Sequence, residues 1–348
     1  MEGIELTDTI SPLPDRVVEI LKPGAPVVVT GCAGFIGSTL TEALLALGCV
    51  VTGVDCLTDY YDISLKRENM AGFLDDDRFT FLEADLQELD AVALLQGKTA
   101  CFHLAAQAGV RASWGDYFQE YLGSNVMASQ RLLEACRHET VRDTLVRFVY
   151  SSSSSVYGDQ SSLPVNEQAL PQPRSPYGVT KMAAEHLCVL YAMNFGVPTS
   201  SLRYFTVYGP RQRPDMAFRK YIEAALDGRT FQVYGDGNQT RDFTYVADAV
   251  RSNLLAVAAE PDWAVFNTGG GARLVFRDTL AQLQEILVDR VPGIEARVEY
   301  QETAKGDVRD TFADRTFVET AIGYRPTVDF ATGLAREVDW AIARRKLG

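Results

Sequence analysis

The run Val27-Val28-Val29-Thr30-Gly31-Cys32-Ala33-Gly34-Phe35-Ile36-Gly37-Ser38 constrains this chain more than any other segment. A β-branched run of this kind is apolar on both faces, as a parallel strand covered on both sides must be. Three glycines spaced three apart end it, and the helix-like Thr39-Leu40-Thr41-Glu42-Ala43-Leu44-Leu45 follows. Glycine permits a tight turn and close backbone approach. The turn aims the free N–H groups and positive end of the next helix at an anion, which in a dinucleotide is the pyrophosphate. By itself the pattern equally marks an ordinary strand-to-helix turn. Its surroundings favour the cradle. A second apolar strand, Val50-Val51-Thr52-Gly53-Val54, ends at Asp55, near the spacing at which an acid binds the adenosine ribose diol. That acid favours NAD over NADP, although Lys66 and Arg67 follow closely and could meet a 2′-phosphate. The competing reading of Asp55 is a turn residue after a strand.

Strand and helix signals alternate through the first two hundred residues. Strands are expected near 26–30, 50–55, 78–84, 99–104, 145–151 and 198–204, and helices near 34–48, 113–137 and 176–196. This is the α/β pattern of a doubly wound parallel sheet, a Rossmann fold. After Gly209-Pro210 the rhythm becomes irregular, with a further strand near 264–268. A length of 348 residues suits two domains, or one large unit with an appendage. The expected division is an N-terminal extension at 1–25, a cofactor domain at 26–204 and a smaller α/β substrate domain at 205–348. Segments such as 243–270 are expected to pack back on the first domain. The extension carries a short helical candidate, Asp15–Lys22, among Pro12, Pro14, Pro23 and Pro26.

Composition excludes several functions. A net charge of −13 argues against nucleic acid and anionic membranes, which bind basic patches. Any phosphate must then be held by local arginines and helix N-termini. No apolar stretch reaches the ~18 residues of a membrane span, and the acidic start lacks the basic and apolar regions of a secretory signal, so a cytoplasmic protein is expected. Six cysteines without a C-x-x-C pair read as reduced packing residues, and His103, His138 and His186 show no ligand spacing, so no metal is expected.

Chemistry is concentrated in Tyr177-Gly178-Val179-Thr180-Lys181, which Ser175-Pro176 introduces as a helix entry. Spacing i, i+4 puts phenol and ammonium on one face. A cation ~4 Å away at an effective dielectric of ~20 is worth roughly 4 kcal/mol, enough to lower a tyrosine pKa by about three units. Tyr177 is then expected to act as a base at neutral pH. With fifteen tyrosines in the chain, a packing pair is the simpler reading of Tyr177 and Lys181 taken alone. Ser151 to Ser155, however, follow the buried strand Arg147-Phe148-Val149-Tyr150, where hydroxyls emerge at the carboxyl end facing a cofactor crevice. A serine there completes a proton relay at a carbinol undergoing hydride transfer.

The ordered set Gly31-x-x-Gly34-x-x-Gly37, His103-Leu104-Ala105-Ala106, Ser153-Ser154-Ser155-Val156-Tyr157-Gly158, Tyr177-x-x-x-Lys181 and Arg241-Asp242-Phe243 resembles the extended short-chain dehydrogenase/reductase family. More narrowly it is similar to the nucleotide-sugar epimerases, dehydratases and decarboxylases. The resemblance spans about residues 26–345 and implies a bound NAD, a nucleoside-diphosphate sugar, and oxidation at C4 by Tyr177, Lys181 and Ser153. It further implies cofactor contacts from Phe35, Ile36, Asp85, Leu86, Ala105, Ala106, Gln107 and Asn125. Dehydratases of the family place an Asp-Glu pair where this chain has Ser154 and Ser155, and decarboxylases place a glutamate at Ser155, so both branches are disfavoured.

UDP-glucuronate 4-epimerases are the closest branch in motifs. Asp55–Lys66, Gln107–Arg111 and Arg203–Pro210 look like that subgroup, although it usually has Asn at the position of Cys56. UDP-glucose 4-epimerases typically have Asn in place of Thr206. Arg213 matches an arginine expected at a sugar carboxylate, whose geometry its planar fork suits. A diphosphate or surface arginine is the alternative, and an epimerase of neutral sugars such as UDP-glucose or UDP-N-acetylglucosamine stays open. The resemblance places Ser153, Ser154, Ser155, Arg111 and Thr206 at the substrate, Arg241 and Arg309 at its diphosphate, and Asp307 near the uridine ribose. One departure is Ala304-Lys305, where the family often has an arginine before Gly306-Asp307. A homodimer is expected. A catalytically dead NAD- or sugar-binding regulator is the rival of another class.

Overall fold

A computed structural model describes residues 9, 10, 12–303 and 305–347. Most of the N-terminal extension's first eleven residues, and Ala304, lie outside the described residues.

Seven strands form one parallel sheet: β1 (Pro26–Thr30), β2 (Val50–Asp55), β3 (Phe79–Glu83), β4 (Ala100–His103), β5 (Arg147–Ser153), β6 (Thr199–Tyr204) and β7 (Trp263–Thr268). Their spatial order is β7-β6-β5-β4-β1-β2-β3, so the direction of winding reverses between β1 and β4. This is the doubly wound arrangement, and the crevice outside the carboxyl ends at that reversal is where ligands bind. Val27, Val28 and Val29 are fully buried, Val27 and Val29 toward one layer of helices and Val28 toward the other. Covering both faces is why β1 reads as a continuous apolar run, and each buried valine is worth about 1.5–3 kcal/mol.

Strand positions follow the sequence reading closely. β5 runs two residues further than expected, to Ser153, and β7 returns to the sheet beside β6. The helix expected over 113–137 is broken instead. Two 3₁₀ turns, Arg111–Ser113 and Gly115–Tyr117, lead into a short α segment, a π turn at Leu122–Met127 and an α segment at Ala128–Ala135. The local cause is visible at Gly115, which has φ +70°. Further on, Asn125 is buried in the π turn, where its side chain is committed to bonds outside the helix. Such turns are frequent at functional sites.

Residues beyond Val207 build a second core around Phe218, Phe243, Phe276, Leu283 and Leu334. The helix Asp15–Ile20 buries Val17, which joins Leu21 in the first core. Among the described residues, no helix is long and apolar enough to cross a membrane, and no cluster of His, Cys, Asp and Glu is placed to hold a metal.

Candidate active site

At the reversal point lies a cleft of about 1200 Å³, its open mouth included. Of the residues expected at the cofactor, Gly31, Gly34, Phe35, Ile36, Gly37, Asp55, Asp85, Leu86, Ala105, Ala106 and Gln107 line it, together with Tyr177 and Lys181. Asn125 stands behind the wall: it accepts from Gln107 N at 2.7 Å and donates to Gln107 O at 3.1 Å, gripping that backbone from both sides.

The glycine turn is tight for a steric reason. Gly31 has φ +73°, and a Cβ on Gly37 would stand 2.0 Å from Gly31 O, so neither position accepts a side chain without movement. The helix that follows, α1 (Phe35–Ala46), has no side-chain cap, which leaves its first N–H groups directed at the cleft for an anion.

Asp55 ends β2 facing the same cleft, oriented by Ala33 N at 3.2 Å and Leu57 N at 2.9 Å. Lys66, which could have met a 2′-phosphate, lies 3.8 Å from Asp55 and donates to Thr58 at 3.0 Å. Uncapped helix, glycine turn and oriented acid together fit NAD. NADP is expected to bind at least ~100-fold more weakly, since its 2′-phosphate would meet a fixed carboxylate. Asp55→Ala should narrow that gap by freeing Lys66. Titration of both cofactors checks this, and equal affinities in the wild type would remove Asp55 from the ribose site.

Tyr177 and Lys181 lie one turn apart on α2 (Pro176–Phe195), whose N-cap Ser175 accepts from Gly178 N at 3.1 Å. Ser153 lies beside Tyr177, where its hydroxyl favours the ionised phenol. Lys181 is buried, donates to Ser151 O at 2.8 Å and sits 5.1 Å over the Tyr150 ring. Burial pulls the Lys181 pKa down to about 7.

The expectation that Lys181 lowers the Tyr177 pKa is corrected here. Burial raises the phenol above its usual value, and what opposes this is the charge of Arg213 and the nearby Ser153 hydroxyl. The ammonium is spent on the Ser151 carbonyl, and desolvation of the phenol outweighs the charges near it.

The substrate residues divide into two groups. Arg213 lines the cleft close to Tyr177, but it makes two 2.9 Å bonds to Asp215, and burial, which would pull its pKa down, is outweighed by that carboxylate. Tyr60 reaches the same carboxylate at 3.5 Å. Ser154 and Ser155 form a 3₁₀ turn after β5, and Ser153 Oγ accepts from Ser155 N. Thr206 follows β6, and its carbonyl accepts from Thr244 N.

The second group is a charged cluster. Arg111 pairs with Asp307 at 2.7 Å and lies 4.1 Å over the Tyr234 ring. Arg241 donates to Arg309 O at 3.0 Å, while the Arg309 guanidinium makes two 3.1 Å bonds to Asp236. Gly306 packs near Val110 and Ser175, which joins this cluster to the entry of α2.

One further reading needs correcting. Cys56 is no packing residue: it is exposed and lines the cleft beside Asp55, whereas the other five cysteines are buried. The sequence reading also missed Tyr60, Tyr61 and Asp215 as site residues. Their signal was present in the Asp55–Lys66 segment and in the Arg213-Pro214-Asp215 spacing.

The model of the NAD dependent epimerase/dehydratase family matches residues 27–269. The chain belongs to this family. The matched residues include the glycine turn and the Tyr177–Lys181 pair. The chain is 41% identical to the UDP-glucuronic acid 4-epimerase of Bacillus cereus, solved with UDP-glucuronic acid and NAD, with a TM-score of 0.85 over 92% of this chain and 99% of that one. It is 35% identical to the UDP-glucuronate 4-epimerase of Thermodesulfobacterium geofontis, over 90% of this chain and 95% of the relative. A Bacillus subtilis protein named "uncharacterized UDP-glucose epimerase YtcB" is 40% identical over 90% of this chain and 96% of its own length.

Proposed function

We propose that this protein is an NAD-dependent UDP-sugar 4-epimerase that interconverts UDP-glucuronate and UDP-galacturonate. The observation that carries the reading is the meeting of Tyr177 and Lys181 with a half-buried arginine, Arg213, at the cleft, with Ser153 beside Tyr177. Tyr177 takes the proton from sugar O4, and Ser153 holds that hydroxyl as the proton leaves. Bound NAD, held by the Gly31–Gly37 turn and Asp55, supplies the acceptor and donor of the C4 hydride. The 4-keto sugar turns over in the pocket, and Tyr177 gives the proton back to O4 with C4 inverted.

A uronic acid becomes a β-keto acid at this stage, and such acids lose carbon dioxide when the C–C bond to the carboxylate aligns with the carbonyl π system. Arg213, with the serine hydroxyls, holds the carboxylate near the carbonyl plane and so withholds that overlap. Arg241 and Arg309 take the diphosphate, with Arg111 and Asp307 at the nucleoside end. In this reading residues 26–204 hold the cofactor and 205–348 the UDP-sugar. It also places the enzyme in the cytoplasm as a homodimer, for which exposed Leu190, Met193 and Phe195 offer an apolar face on α2.

A second reading is a UDP-glucose 4-epimerase. Asp215 already neutralises Arg213, which suits an uncharged sugar, and the Bacillus subtilis relative carries that name. Incubation with UDP-glucuronate, UDP-glucose and UDP-N-acetylglucosamine, followed by NMR of the products, separates the two. UDP-galacturonate from UDP-glucuronate is the expected product. Turnover of UDP-glucose alone would establish the second reading.

A further inference from the structure

Three consecutive serines at the end of β5 meet three successive turns of α2. Ser153 lies beside Tyr177, Ser151 O accepts from Lys181 at 2.8 Å, and Ser152 Oγ donates to Glu185 Oε2 at 2.7 Å. The helix residues are spaced i, i+4 and i+8 and so share one face. There is no room for slack where α2 begins: a Cβ on Gly178 would stand 2.6 Å from Ser155 O, in the turn that follows β5.

The third tie differs from the other two because it is braced from the far side. Arg203 on β6 grips both oxygens of Glu185, at 2.9 and 2.6 Å, and all three side chains of this link are buried. Arg203 also donates to Tyr157 OH at 2.7 Å, and that hydroxyl donates to Asn267 on β7 at 2.7 Å. A buried ion pair recovers its desolvation cost only when its remaining valences are bonded, as they are here. The network therefore resists sliding of α2 along β5, which would carry Tyr177 away from Ser153 and Lys181 away from Ser151.

We propose that Ser152, Glu185 and Arg203 are positioning residues that set the register of the Tyr177–Lys181 helix against the serine strand. The proposal rests on the reading of Tyr177 as the acid–base group. Ser152→Ala cuts the tie while leaving the ion pair whole. Its kcat is expected to fall about tenfold with KM for the UDP-sugar within ~2-fold, the signature of lost alignment rather than lost binding. NAD affinity, read by direct titration, should stay within ~2-fold, and the unfolding midpoint within about 2–3 °C. Glu185→Gln combined with Ser152→Ala should be no slower than Glu185→Gln alone, because the two act as one link. If Glu185→Gln does not fold, Ser152→Ala decides.

A Ser152→Ala enzyme with full kcat, in a protein whose Tyr177→Phe variant is inactive, would overturn the positioning role alone. Parallel losses of kcat, sugar affinity and midpoint would also overturn it, leaving a packing role. An active Tyr177→Phe protein would strike the underlying reading instead.

Discussion

Tyr177→Phe is expected to lower turnover ~10²–10⁴-fold, the contribution of a lost general acid–base group, while NAD and UDP-sugar still bind. The ring stays in place, because its packing against Tyr121 at 6.3 Å does not depend on the hydroxyl. Only the proton carrier is removed. The pH dependence follows from the direction of the shift. Burial holds the cofactor-free phenol above its ordinary pKa, so at neutral pH it is protonated, and the base form grows as pH rises. Wild-type kcat should therefore climb with pH on its acid side, and the positive nicotinamide ring of bound NAD should move that limb downward. Stopped-flow absorbance at the reduced-nicotinamide band, read from low to high pH, checks both points. Near-normal turnover in the phenylalanine variant would remove Tyr177 from the mechanism.

Arg213→Ala should cost UDP-glucuronate turnover about 2–5 kcal/mol in kcat/KM, the range for losing one partner of a desolvated charge pair. Activity on UDP-glucose should be spared. Asp215 makes the experiment sharper. With Arg213 gone, its carboxylate is left facing the cleft and repels the sugar acid, so part of the loss belongs to Asp215. Arg213→Ala with Asp215→Asn removes that repulsion. The double variant should recover some affinity for UDP-glucuronate but no control over its carboxylate. Leakage of UDP-xylose or its 4-keto precursor is the expected sign of a carboxylate free to rotate. Equal losses on both sugars in the single variant would sink the carboxylate assignment.

Lys66, Lys181 and Arg213 show where reading along the chain stops. Each was visible as a cation beside a site. Each proves to be engaged, with Asp55, with the Ser151 carbonyl and with Asp215 respectively. Charge is a property of a residue, whereas availability depends on the acceptor within reach. The π turn at Leu122–Met127 is a similar case: local propensity favours a continuous helix there, and Asn125's bonds to Gln107 are made outside it.

By itself the sequence determined the sheet, the glycine cradle, the acid that ends β2 and the pairing of Tyr177 with Lys181. These rest on periodicity and short spacing, which the backbone converts directly into strands, turns and helix faces. Only the tertiary structure decided that Trp263–Thr268, expected to pack back on the first domain, takes its place beside β6, that Glu185 meets Arg203 beneath the serines, and that burial raises the Tyr177 pKa. Burial and ion pairing depend on atoms brought together from distant segments, and no local pattern records which of them will meet.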